Sequence, residues 1–423
     1  MSRRGQRAKD MGIALAGGGP LGGIYEIGAL AALQEALDGV DFTDLDVYVG
    51  VSSGAFLAAG LANGLTPREM HSMFILDKSH RDPFEPEMLL RPAFREFARR
   101  LQQAPTLLES AGLAYLGRGP GSGFFESFLR LTRGLPNGLF DNEPIAAFLR
   151  KLFSYPGRTD DFRELPTKLF ILAADLDSGK AAAFGSPGFD DVPISQAVKA
   201  SSALPGLYPP ARIHGRDYID GAVKKTLHAS VALKEGVKLL FCVNPLVPYN
   251  SDLAAKRTGE PALRLADGGL FSVLSQSFRA LIYSRMKVGM ERYAKEFPDA
   301  DVVLFEPAND DEVMFFSNIF SYAERRVLAE HAYRHTRGQL RQRADELEFI
   351  LARHGARLNR AVLDDPSRRL PTRAEIAPRG PLWDSLSPLA SALAELERAL
   401  AVEQKSRGEG DERHGAETAA ADA

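Results

Sequence analysis

The chain has 423 residues, 45% hydrophobic and 25% charged, with a formal net charge of −3 at neutral pH. That is the composition of a globular protein with room for a large core or more than one domain. The charge balance argues against a nucleic-acid partner, and the single cysteine, Cys242, excludes an intramolecular disulfide.

Residues 1–10 are basic and polar and read as a flexible N-terminus. The apolar stretch Met11 to Ala16 is too short for a signal-peptide core, and no stretch approaches a membrane span, so a cytoplasmic protein is expected. Met11 to Ala16 reads instead as a buried strand. Gly17-Gly18-Gly19-Pro20-Leu21-Gly22-Gly23 follows, and Ile24 to Leu37 reads as a helix whose Ile27, Leu30, Ala31 and Leu33 face a sheet. Consecutive glycines let backbone N–H groups converge on an anion, either a nucleotide phosphate or the oxyanion of a tetrahedral intermediate. The spacing is that of neither common phosphate loop, and no Lys follows, which favours the oxyanion. Pro20 has no N–H, so the donors would be Gly18, Gly19 or Leu21.

Val47 to Val49 reads as a short strand. It runs into Gly50-Val51-Ser52-Ser53-Gly54 and then into a helix from Ala55. This is G-x-S-x-G in a strand–turn–helix context. Glycines relieve the crowding of the turn, and Ser52 is pushed out with a helix N-terminus beside it. Pro67 starts a further helix to about Asp77. Residues 80–142 are rich in proline and large apolar residues and read as a helical insertion. It is either a subdomain with its own small core or a lid and acyl-chain wall.

The α/β pattern returns at residue 167. Lys168 to Ala174 reads as a strand ending in the polar turn Asp175 to Gly179, where Asp175 stabilises the turn. A helix is expected over Pro193 to Ser202, a hairpin tip at His214, and a short strand Asp217 to Ile219 ending at Asp220-Gly221-Ala222. A helix over Thr226 to Glu235 and a strand over Val237 to Val243 follow, with Cys242 a buried, inert thiol. Phe271 to Phe297 reads as a long helix with Leu274, Phe278, Leu281, Ile282, Arg285, Gly289 and Tyr293 on one face. Packing on the sheet with a solvated basic face is the favoured reading, and attraction to an anionic membrane the alternative. Asp301 to Phe305 is the last strand. Ser321 to His354 reads as a charged helix, and Leu382 to Gln404 as a third long helix whose leucines would support self-association. Residues 405–423 read as a disordered tail. The division expected is a catalytic domain over 11–310 and a helical region over 311–404.

A serine nucleophile needs a base. His331, His335 and His354 fall on the charged helix with a solvated face as default, and no histidine has a recognisable triad context. His228, eight residues after Asp220, is the histidine to consider. Asp220 is the other candidate, at the C-terminal edge of a sheet where α/β sites gather. An Asp-Gly pair is also an ordinary turn signal, so the residues alone leave both roles open.

Three pieces in this order resemble the patatin-like phospholipases: Gly17 to Gly22 their glycine-rich loop, Gly50 to Gly54 their nucleophile turn, and Tyr218-Ile219-Asp220-Gly221-Ala222 their D-G-[GA] motif. Ala173 to Gly179 and the long run Ala197 to Pro210 also resemble the family, so the likeness covers about residues 11 to 245. The resemblance implies a three-layer α/β/α sandwich and a serine hydrolase acting on lipid acyl esters of the phospholipid or lysophospholipid class. It implies a Ser52–Asp220 dyad, an oxyanion and substrate-binding loop at Gly17, Gly18, Gly19 and Leu21, and no metal or cofactor. Leu21 stands where many members carry Arg or Lys; Lys224 and Lys225 are candidates to offset that loss, and two solvated lysines are the favoured reading. An acyltransferase would use the same dyad, and a silent lipid-binding scaffold is the reading from another class. The partners expected are a lipid substrate, a peripheral membrane contact and a second copy through the C-terminal helices, with no nucleic acid.

Overall fold

Every residue of Met11–Leu15 and Val47–Val51 is buried, which is the signature of strands covered on both faces. The computed structural model describes residues 10–76, 84–94, 96–98, 136–316 and 322–372. The chain opens with β1 (Met11–Leu15), α1 (Gly19–Ala36), β2 (Leu37–Asp38), β3 (Val47–Val51), α2 (Ser53–Ala62) and α3 (Pro67–Phe74). Then come α4 (Glu143–Phe153), β4 (Lys168–Asp175), β5 (Ala181–Phe184), α5 (Ile194–Ser201), β6 (Ala211–Ile213), β7 (Arg216–Asp220), α6 (Ser230–Lys234) and β8 (Leu239–Val243). The last described elements are α7 (Ser251–Thr258), α8 (Gly269–Glu296), β9 (Asp301–Phe305), α9 (Glu312–Phe316), α10 (Tyr322–Gln342), α11 (Ala344–Arg353), β10 (Arg357–Leu358) and α12 (Arg360–Asp364).

The main sheet has the order β6-β7-β4-β3-β1-β8-β9, with β5 also paired to β4. β4, β3, β1, β8 and β9 run parallel. β5 and β7 pair antiparallel to β4, and β6 pairs antiparallel to β7. Side chains alternate across the pleat, so Ile13 and Leu15 face α1 and α2 while Ala14 and Ala16 face α6 and α8. This is a sheet between two helical layers, as the resemblance implies. α10 lies directly on α1: a Cβ added at Gly28 would sit 2.3 Å from the Ala329 carbonyl oxygen, and the Tyr333 hydroxyl donates to Glu35 at 2.8 Å. The described residues up to Leu370 belong to one compact unit.

Four expectations need correction. α1 begins at Gly19, five residues before Ile24, because Gly18 caps it and Pro20 suits a first turn. The helix expected over Thr226 to Glu235 is reduced to Ser230–Lys234, since His228 adopts a left-handed φ of 46°. The helix expected over Ser321 to His354 breaks at Arg343, whose guanidinium donates to the Leu304 carbonyl at 3.0 Å and pairs with Glu346. Its histidines are not solvated: His331 meets Asp311 at 2.7 Å, His335 meets the Glu306 carbonyl at 3.2 Å and His354 meets Asp301 at 2.8 Å.

The fourth correction is to α8. Ile282, Met286 and Tyr293 cover the sheet, with Phe278 partly buried, whereas Leu274 and Leu281 are 55% and 63% exposed. The face read as buried therefore mixes two sides of the helix. Residues 80–83, 95 and 99–135 of the helical insertion, the leucines of 382–404 and the two chain ends lie outside the described residues.

Candidate active site

β3 ends at Val51, and α2 starts at Ser53, which leaves Ser52 alone to turn the chain. Its φ of 53° and ψ of −119° are costly for any residue with a Cβ. The turn is this tight because backbone packs on backbone. A Cβ at Gly50 would lie 2.4 Å from the Ala55 Cα, and one at Gly54 would lie 2.4 Å from the Leu15 carbonyl oxygen. Only glycine fits either position.

Asp220 closes β7, where Ala173 of β4 is its register partner. A Cβ at Gly221 would fall 2.2 Å from the Leu172 carbonyl oxygen, so the Asp-Gly turn is pressed onto β4. The Asp220 side chain is buried. Its Oδ1 accepts the Ala222 N–H at 2.8 Å, and the Ser52 side chain lies beside its carboxylate and favours the ionised form. Burial favours the neutral form and outweighs both neighbours, which lifts the Asp220 carboxyl to about 6. The structure thus brings together the two residues singled out from sequence.

The run Ala197 to Pro210 holds both of them. Ser201, at the end of α5, accepts the Ser52 N–H on its hydroxyl oxygen at 2.8 Å and donates to the Leu172 carbonyl at 2.6 Å. The Ala203 carbonyl accepts the Asp220 N–H at 3.0 Å. Sequence reasoning missed Ser201 as a site residue, although the stretch that carries it was among the motifs singled out.

The glycine loop approaches from the other side. β1 and β3 are parallel neighbours, with Leu15 opposite Gly50, so α1 and α2 both start beside Ser52. The first N–H groups of a helix lack intrahelical acceptors and carry partial positive charge. A Cβ at Gly17 would meet the Ser52 Cβ at 3.1 Å, which places Gly17 against the serine. Gly18 and Gly22 are backed by Pro245, Gly19 adopts a φ of 61° facing open space, and the Gly22 N–H closes the first helical turn on the Gly18 carbonyl at 3.1 Å. Leu21 is half-buried and packs against the core below α1. The loop and the two helix starts form a cradle suited to negative charge developing near the Ser52 hydroxyl.

His228 is buried beside this site. Its Nε2 has no hydrogen-bond partner, and burial pulls it down to about 4. It is next to the Asp220 turn, while Ser52 lies beside the Asp220 carboxylate. Asp175 accepts the Ser178 N–H at 2.9 Å and pairs with Arg216, which holds its carboxyl well below the usual range. It is a turn residue, as expected. Cys242 is fully buried, and burial raises its thiol far above the ordinary range. Lys224 and Lys225 are exposed. Among the described residues no three His, Cys, Asp or Glu side chains are grouped as a metal ion would require.

The profile of the family described as "Patatin-like phospholipase" matches residues 13–233. The chain is 25% identical over 206 residues, 46% of its length, to the cGAMP-activated phospholipase of Vibrio cholerae serotype O1. It is 40% identical over 77 residues, 18% of its length, to the intracellular phospholipase A2 of Caenorhabditis elegans. The matches span 48% and 7% of those relatives' own lengths, so the chain covers less than half of each. Among solved structures it is similar to VipD from Legionella pneumophila, with 15% identity, a TM-score of 0.37, and coverage of 79% of this chain and 67% of the other.

Proposed function

The chain belongs to the patatin-like phospholipase family, and from that premise we propose that it hydrolyses lipid acyl esters, with Ser52 as nucleophile and Asp220 as base. The observation that carries the proposal is that Ser52, on its strained turn, lies beside a buried Asp220 carboxyl lifted to about 6. A carboxylate of ordinary pKa is a weak base for a hydroxyl. One raised toward neutrality, in a cradle that stabilises the product of attack, is better matched to the task.

In this reading the Ser52 oxygen attacks the ester carbonyl as its proton passes to Asp220. The carbonyl oxygen becomes an oxyanion facing the N–H groups of Gly18, Gly19 and Leu21. Collapse breaks the ester bond, and the leaving alcohol takes the proton from Asp220. A water then attacks the acyl-enzyme, giving its proton to Asp220, and Ser52 is released with its proton restored. Phospholipids or lysophospholipids are the substrate class proposed. Leu21 in the loop adds no cation there to hold a strongly anionic head group. No described helix is long and apolar enough to cross a membrane.

Labelling with a fluorophosphonate probe tests the nucleophile. Wild type is expected to label and Ser52→Ala not to. Equal labelling of the two overturns the assignment. Adding an alcohol acceptor to the assay separates hydrolysis from acyl transfer, since transfer diverts product into a new ester.

A further inference from the structure

At about 100° per residue, Leu270, Leu274, Leu281 and Val288 of α8 fall within about 20° of one line along the helix. They are 70%, 55%, 63% and 64% exposed. Within about 40° of that line lie also Arg285, Arg292 and Lys295, all exposed, and no Asp or Glu. The nearest acid, Glu296, is paired to Arg292 at 2.6 Å. The outward face is thus an apolar ridge at its N-terminal end that becomes basic toward its C-terminal end. Such a face has no reason to stay dry of a partner in a chain of net negative charge.

The position of this face follows from topology. β8 and β9 are parallel and α8 connects them, so α8 runs against them. Its N-terminal end therefore lies at the strand ends that carry Ser52 and Asp220. The helix has 28 residues, about 42 Å, against about 17 Å for a five-residue strand. Its sheet-covering residues begin near Ile282, and Gln276 is already held by the backbone of Tyr249, beyond the end of β8, at 2.7 and 3.1 Å. The turns carrying Leu270 and Leu274 overhang the catalytic edge of the sheet. Arg285 donates to the Val223 carbonyl at 3.3 Å, which ties the helix to the turn just after Asp220.

We propose that this face of α8 is the surface by which the protein docks on an anionic lipid bilayer, with the leucine ridge inserted at the headgroup boundary and Arg285, Arg292 and Lys295 against acidic headgroups. Charge complementarity selects this occupant. A second copy would bring the same cations and no carboxylate on the line to meet them, and a nucleic acid would leave four large apolar side chains against phosphate. The inference rests on the lipid-ester reading only for its purpose, since binding is measured without turnover.

The test uses full-length protein carrying Ser52→Ala and sedimentation with sucrose-loaded vesicles. The vesicles are phosphatidylcholine alone, or phosphatidylcholine with about a third phosphatidylserine. The protein is expected to bind the phosphatidylserine vesicles at least about tenfold more tightly, and to lose about tenfold when salt is raised to about 1 M. Adding Leu270→Ser, Leu274→Ser and Leu281→Ser is expected to weaken that binding by at least about tenfold. In the otherwise native chain the same three changes should leave hydrolysis of a soluble p-nitrophenyl ester unaltered.

Because the triple variant could fold poorly, a single label gives a second reading. Cys242 is buried, so a fluorophore on Leu281→Cys reports that site alone. It is expected to shift to the blue with phosphatidylserine vesicles, while the same label on Asp345→Cys does not. Equal binding by the leucine variant, no preference for phosphatidylserine, or an unchanged Leu281→Cys label overturns the proposal. So does a dimer that the leucine changes dissolve while vesicle binding persists. Failure of fluorophosphonate labelling with vesicle binding intact would instead overturn the hydrolase reading alone.

Discussion

The backbone N–H of Ser52 donates to the hydroxyl of Ser201 at 2.8 Å, across 149 residues of sequence. The same hydroxyl donates to the Leu172 carbonyl at 2.6 Å, so Ser201 fastens the nucleophile turn to β4 beside the strand that carries Asp220. Ser201→Ala leaves a buried N–H and a buried carbonyl without partners. We expect about 1–3 kcal/mol lost in stability and about a tenfold fall in kcat with KM little changed. Chemical denaturation and steady-state kinetics on one soluble ester measure both, and an unchanged kcat would exclude a positioning role.

With Asp220 as the proposed base, its ionisation would set the acid limb of the activity profile. Its carboxyl is lifted to about 6 by burial, and only the ionised form could take the Ser52 proton. kcat/KM is expected to rise about tenfold per pH unit up to about 6 and then level. A limb that instead moves when His228 is replaced would transfer the base role to the histidine.

The same shift makes a prediction about stability. The folded value for Asp220 lies above its ordinary 3.8, so between about 3.8 and 6 the folded chain holds a proton that the unfolded chain has lost. Stability is present below that window and is lost as pH rises through it, by about 3 kcal/mol at most. Asp220→Asn carries no charge to bury. It is expected to melt higher than wild type at pH 8, to lose that advantage near pH 4, and to lose at least about a thousandfold in turnover. A variant that melts lower at pH 8 would contradict the burial argument.

Ser52 occupies a left-handed φ of 53° that glycine accepts and serine does not. Ser52→Gly is therefore expected to gain about 1 kcal/mol in stability while abolishing activity. Ser52→Ala, which keeps the Cβ, should show no such gain. Melting curves of the two variants side by side decide this.

His71 and His228 are both buried, and burial pulls each down to about 4. Their unfolded values are ordinary, so protons bind the unfolded chain first. Their contribution is intact above about 6.5 and is lost as pH falls toward 4, by about 3 kcal/mol each. Because Asp220 changes in the opposite sense below 6, the difference between proteins is the measurement to make. His71→Gln with His228→Asn is expected to lose less stability than wild type between pH 7 and 4.5 in urea titrations. Parallel losses would contradict it.

The parallel core was legible because it is written locally: β1 and β3 announce themselves as apolar runs before glycine clusters. Asp220 was singled out through the resemblance, since an Asp-Gly pair at a strand end is also an ordinary turn. Ser201 was not legible as a site residue, since its role depends on a bond to a residue 149 positions away. The break at Arg343 is likewise long-range: helix propensity runs through it, and the Leu304 carbonyl of β9 overrides it. The outward apolar face of α8 was hidden by the mixed composition of the helix, where buried Arg279 and exposed Leu281 exchange their usual places.

The seat of Gly28 against the Ala329 backbone also has a consequence in time. During synthesis α1 emerges early, but the helix that covers its back is made about 300 residues later, and β8, the neighbour of β1, comes only after both dyad residues. At about 5–20 residues per second, α1 waits on the order of 15–60 s for that cover. The Ser52 turn is fastened by Ser201 well before this, so the two faces of the same unit are completed at different times.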